Sequence, residues 1–213
     1  MASAEEDRSA TLDVQLSRVE AGSSTHRLAA VDDFEAEGLR GSADGTGLRV
    51  AVLCSRFNGR VTGLLLAGAL AELERLGVAS ADRTVAWVPG AFELPLAAMA
   101  MARTRRYDAV VCLGAVIRGE TSHYDFVAGE CASGLQRVQL DLALPVIFGV
   151  LTTENLEQAL ERAGGVLGNK GTEAAATAIE MATVLRQLAG AAGDLSPATA
   201  AGKTTPSPAG SVS

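Results

Sequence analysis

DAVVCLGAVIRGETSHYDFV, Asp108 to Val127, opens as a strand and closes as a helix. Asp108–Leu113 is a β-branched, apolar run with the look of a buried strand. Ser122 followed three residues later by Asp125 resembles a capping box and predicts a helix start. Arg118, Gly119, Glu120, Thr121 and His123 then fall on the strand-to-helix turn or in the first helical residues. Unpaired backbone N–H groups and the helix dipole make such a turn an anion site. His123 adds one titratable group, and the only other histidine is His26 near the N-terminus. Taken alone, the stretch reads equally well as a phosphate-handling turn or as a polar loop whose histidine bonds the backbone.

The same alternation extends to both sides. Leu48–Cys54 is a β-rich run followed by SRFNG, and Arg60–Leu76 carries a helical stripe at Val61, Leu65, Ala69, Leu73 and Leu76. Gly77 closes that helix. Thr84–Val88 is the second strand, PGAFELP follows it, and a helix is expected from Glu93 to Thr104. The helix after the opening stretch shows Phe126, Val127, Cys131, Leu135 and Val138 on one side. Pro145–Leu151 is the fourth strand. Thr153 is placed to cap a helix Glu154–Ala163, with Leu156 and Leu160 inward. Gly164-Gly165 breaks it, and GNKG leads into a last helix, Thr172–Leu188.

Four continuous apolar strands alternating with helices predict an α/β fold with a parallel sheet covered on both faces. Ligands of such sheets bind outside the carboxyl ends of the strands. Arg56-Phe57-Asn58, Gly90-Ala91-Phe92-Glu93, the GAVIRGETSH turn and Phe148 are all expected at that edge.

The 213 residues, 48% of them hydrophobic, suffice for one domain with tails at each end. Residues 1–44 read as an acidic, disordered or arm-like tail, with Phe34–Arg40 a candidate short strand. Residues 45–189 read as the domain, and 190–213 as a low-complexity tail rich in Ala, Gly, Ser, Pro and Thr. Met1 to Gly47 holds a net charge of −6 of the total −7, so no basic patch argues for nucleic acid. No apolar run is long enough to span a membrane, and MASAEEDRSA reads as neither a secretory nor an organellar leader. A cytoplasmic protein is the expectation. Cys54, Cys112 and Cys131 show no metal-ligand spacing and read as buried thiols in a reducing compartment.

SRFN, WVPGAFELP, LGAVIRGETSHYDFV, PVIFGVLTTEN, QALERAG and GNKG, in this order, resemble the lumazine synthase family (6,7-dimethyl-8-ribityllumazine synthase) over about Gly45 to Leu188. The resemblance implies a flavodoxin-like three-layer fold with a four-stranded parallel sheet flanked by helices. It implies condensation of 5-amino-6-(D-ribitylamino)uracil with 3,4-dihydroxy-2-butanone 4-phosphate to 6,7-dimethyl-8-ribityllumazine, phosphate and water, without metal or redox cofactor. It further implies a homopentamer, assembled in some members into a sixty-subunit capsid, and riboflavin synthase as a partner. RAGGVLGNKG has no extra residues of the kind that resembles members stopping at pentamers.

Site roles follow from the same resemblance. Phe57 would stack on the pyrimidine. Ala91, Phe92 and Glu93 would hold the pyrimidine and ribityl chain, and Ala115, Val116 and Ile117 would line its pocket. Gly119, Glu120 and Thr121 would bind phosphate through backbone N–H groups, the Glu120 carboxylate turning away. Arg162 and Lys170 would supply cations and Phe148 would cover the pyrimidine, all three facing the neighbouring subunit's pocket. His123 would transfer protons, because imidazole both gives and accepts near neutral pH. Two other classes compete: a non-catalytic flavin- or nucleotide-binding module, and a structural shell that has lost catalysis.

Overall fold

The computed structural model describes residues 38–194. Most of both expected tails, with His26 and Phe34, lies outside them; residues 38–40 form no strand. Strands β1 (Val50–Ser55), β2 (Arg83–Val88), β3 (Ala109–Ile117) and β4 (Val146–Thr153) alternate with helices α1 (Gly59–Arg75), α2 (Leu94–Arg103) and α3 (His123–Leu142). A short helix α4 (Leu156–Glu161), a two-stranded hairpin β5 (Ala163–Gly165) and β6 (Gly168–Asn169), and α5 (Lys170–Asp194) complete the order. All four main strands run parallel in the order β2-β1-β3-β4, a flavodoxin-like arrangement of four strands among the described residues.

Side-chain alternation along each strand sorts the core into two layers. Val50, Val52, Cys54, Val111 and Leu113 face α1 and α5, where Val61, Leu65, Ala69, Leu73 and Leu76 form the buried stripe read from the sequence. Ala51, Leu53, Val110 and Cys112 face α2 and α3, meeting Leu94, Ala98, Cys131, Leu135 and Val138. The three thiols are free and buried in these layers. Two helix crossings depend on glycine. A Cβ on Gly134 of α3 would stand 2.8 Å from the Pro95 ring of α2, and one on Gly171 of α5 would collide with the Leu65 carbonyl of α1.

Several local expectations are corrected. β3 runs four residues past Leu113 because Ala115–Ile117 keep pairing with Leu151–Thr153. Glu93 ends a short 3-10 turn, Ala91–Glu93, and α2 begins at Leu94. Asn155, not Thr153, caps α4: its side chain accepts from the Gln158 N–H at 2.9 Å. In this short helix Ala159 is buried, Leu160 packs partly buried against the core, and Leu156, expected inward, is exposed. The glycines after α4 make a hairpin rather than a simple break, with Gly164 and Gly168 at positive φ. α5 continues past Leu188 into the segment whose composition reads as tail.

Candidate active site

Three chain crossings meet at the carboxyl ends of β1, β2 and β3. Asn58, in the left-handed region at φ 57°, turns the chain out of β1 into α1, and Phe57 stands just before it. The Phe57 N–H donates to the Pro89 carbonyl at 3.0 Å, so the loops after β1 and β2 are fastened together. After β2, Glu93 Oε2 accepts from the Gly90 N–H at 2.9 Å and closes the turn that carries Ala91 and Phe92. After β3, Gly119 to Ser122 lead into α3, whose first helical residue is His123.

Between these loops lies a cleft of about 770 Å³, within the range of small-molecule sites. Its lining brings together Phe57, Ala91, Phe92 and Glu93 with Ala115, Val116, Ile117, Gly119, Thr121 and His123. Its floor is apolar, with Ala91, Ala115 and Val116 buried. Its mouth carries Phe57, Phe92 and Phe126, exposed by 70%, 57% and 67%. Three large rings left that open are surfaces for a flat ligand or another chain to cover.

The capping box expected at Ser122 is not formed. Ser122 has φ −67° and ψ 0°, a helical geometry, and its side chain caps no N–H. A capping side chain needs an extended backbone to project over the first turn. Asp125 instead pairs with Arg118 at 3.1 Å, while its own N–H donates to the Ser122 carbonyl at 3.0 Å. Arg118 is also paired with Glu154 at 3.0 Å. The Asp125 and Glu154 carboxylates hold its guanidinium above the usual arginine range. Glu120 is exposed on the turn and does not line the cleft.

Phe148, Arg162 and Lys170 are not in this cleft. They line a second cavity of about 430 Å³ on the face of β4. Phe148 pairs with Cys112 in mid-strand on the sheet's edge, short of the carboxyl end where its neighbours in the sequence reading stand. Arg162 caps the end of α4, its Nη1 donating to the Gln158 carbonyl at 3.0 Å and lying 3.6 Å from the Glu161 carboxylate. Lys170 Nζ is 2.6 Å from Glu173 Oε2. Among the described residues no lysine or arginine lines the first cleft, and the two cavities share no residue.

Sequence reasoning missed Pro89, Tyr124, Phe126 and Val127 as cleft residues. Phe126 shares its side of the helix with the buried Cys131, Leu135 and Val138, yet it is exposed at the mouth. The signal was present: positions 123, 126 and 127 share one helical face, so a residue stacked beside His123 looks into the site. Among the described residues no group of three His, Cys, Asp or Glu side chains converges to hold a metal, and no helix is long and apolar enough to cross a membrane. The sequence model of the 6,7-dimethyl-8-ribityllumazine synthase family matches residues 47–186, which span the whole of the cleft and the second cavity.

Proposed function

Because the chain belongs to the 6,7-dimethyl-8-ribityllumazine synthase family, we propose that it is a transferase that condenses 5-amino-6-(D-ribitylamino)uracil with 3,4-dihydroxy-2-butanone 4-phosphate. The products are 6,7-dimethyl-8-ribityllumazine, phosphate and water, the penultimate step of riboflavin synthesis, with riboflavin synthase as the consumer of the product. The observation that carries this reading is the convergence of Phe57, Ala91 to Glu93, Ala115 to Ile117 and His123 on one cleft.

The pyrimidine fits between the exposed Phe57 ring and the apolar floor of Ala115, Val116 and Ile117. Backbone groups of Ala91 and Phe92 meet its polar edge. Glu93 holds its own turn with Oε2, and Oε1 is the atom that accepts from ribityl hydroxyls. The phosphate sits over Gly119, Glu120 and Thr121, where backbone N–H groups and the dipole of α3 favour an anion. Imine formation, proton shift, phosphate loss and ring closure each move a proton, and His123 gives and accepts it. Holding two substrates side by side supplies much of the remaining acceleration.

A phosphate dianion in this cleft meets no lysine or arginine among the described residues of the lining. Arg118, the nearest in sequence, is committed to Asp125 and Glu154. The missing cations are Arg162 and Lys170 of a neighbouring copy, brought with Phe148 as an aromatic cover. A patch of one chain closing a different patch of the next is a heterologous contact, which makes a ring when its rotation closes. From its family we take the assembly to be a cytoplasmic homopentamer, which some members build into a sixty-subunit capsid.

The test is to mix the purified protein with both substrates and follow lumazine absorbance together with released phosphate. The expected result is equimolar appearance of both, and none when either substrate is omitted. Folded protein that forms no lumazine would overturn the reading.

A further inference from the structure

Arg118 leaves β3 where the chain turns toward α3, and its side chain reaches three places at once. Nη2 lies 3.1 Å from Asp125 Oδ1 and Nε lies 3.0 Å from Glu154 Oε2. The guanidinium carbon stands 4.0 Å from the centre of the Tyr124 ring. Its backbone N–H donates to the Thr153 carbonyl at 2.9 Å. One planar cation thus closes the turn from Arg118 to Asp125 upon itself and ties it to the end of β4.

Within that turn lie Gly119, Thr121 and His123, all lining the cleft, whereas Arg118, Asp125 and Glu154 do not line it. Besides the clamp, the turn has the Asp125 N–H donating to the Ser122 carbonyl at 3.0 Å and the packing of Tyr124 on the core. Ser122 gives no side-chain cap, and the bond from the His123 N–H to Thr121 Oγ1 is long at 3.4 Å. Each half-exposed ion pair would be weak by itself. A guanidinium uses its edge on two carboxylates and its face on an aromatic ring, and a lysine cannot do all three.

We infer that Arg118 is a positioning residue: through Tyr124, Asp125 and Glu154 it sets where His123 and the Gly119 to Ser122 amides stand in the cleft. This rests on the proposed roles of His123 and of those amides. Loss of the clamp leaves the pyrimidine pocket intact, because Phe57, Ala91 to Glu93 and Ala115 to Ile117 are held by other contacts. It loosens only the turn that handles protons and phosphate.

The test uses Arg118→Ala, Arg118→Lys and Glu154→Ala in the full chain. A misplacement of about 1 Å can cost about 100-fold in rate, so the smaller shift of a loosened turn should lower kcat about 10-fold in Arg118→Ala and about 3-fold in Glu154→Ala. KM for the butanone phosphate should rise in both, KM for the pyrimidine should stay within about twofold, and Arg118→Lys should recover less than half of the loss. Simple loss of folded protein would lower kcat without splitting the two KM values. Hydrogen exchange should quicken at residues 119–125 in Arg118→Ala and Glu154→Ala and stay unchanged in the rest of α3. A kcat within about twofold of wild type, a pyrimidine KM that rises as much as the phosphate one, or unchanged exchange at 119–125 would overturn the inference. Should Arg118→Ala fail to fold, Glu154→Ala decides. Exchange remains decisive even if the wild-type protein makes no lumazine, a result that would count against the proposed function instead.

Discussion

Asn58 donates its side-chain Nδ2 to the Ala115 carbonyl at 2.9 Å, so the loop leaving the first strand is fastened to the end of the third. This bond joins the segment that carries Phe57 to the floor of the cleft. Asn58 also holds a φ of 57°, a conformation that costs most residues but that asparagine tolerates. Asn58→Ala therefore loses the bond and strains the backbone, and should destabilise the protein by about 2 kcal/mol. Asn58→Gly loses the bond alone and should cost about 1 kcal/mol. Urea denaturation of the two variants checks the difference; equal losses would show that the turn carries no strain.

The three cysteines should be silent in the native protein. Burial pushes the Cys54 thiol from its ordinary 9.0 up to about 11 and the Cys131 thiol to about 12. Burial, with a smaller contribution from Cys131, also raises Cys112. Thiolate is the reactive form, so a thiol reagent at pH 8 should label none of them until the protein unfolds. The linkage has a definite sign. The unfolded thiols ionise near 9.0 while the folded ones stay protonated. Their contribution to stability is complete below about pH 9 and is lost as pH rises through 11 to 12. A melting temperature that falls across that alkaline window in wild type, and falls less in a triple Cys→Ala protein, is the expected outcome.

His123→Ala should slow turnover about 100-fold, the lower range for loss of one acid–base group, while pyrimidine affinity changes little. Titration of the pyrimidine alone, followed by stopped-flow turnover with both substrates, separates the two effects. Wild-type turnover in this variant would remove His123 from the chemistry.

Much of the fold was legible because period and composition agreed. The stripe from Val61 to Leu76 on α1 and the apolar runs of β1 and β3 have one reading each, and the structure buries them. What failed was local and side-chain dependent. Ser122 and Asp125 have the letters of a capping box, but Arg118 competes for the Asp125 carboxylate, and no spacing rule weighs that competition. Thr153 and Asn155 are both good caps, and only the length of β4 decides between them. Phe126 and Leu156 are apolar at helical positions facing open space within one chain, and hydropathy does not say whether a face meets the core or a site. Glu120 apart, the residues named for the candidate site fall into two cavities, and Phe148, Arg162 and Lys170, the three expected to face a neighbouring subunit, are the ones that stand away from the first.

The division between His123 and Arg162 is therefore the point on which the account turns, and complementation tests it most directly. His123→Ala and Arg162→Ala should each be poorly active when assembled alone. Refolded together into mixed rings, some contacts would pair an intact His123 of one copy with an intact Arg162 of the next. Lumazine formation by the mixed rings should exceed the sum of the two parents. Rings shown to be mixed, with activity no greater than that sum, would contradict a site shared between chains.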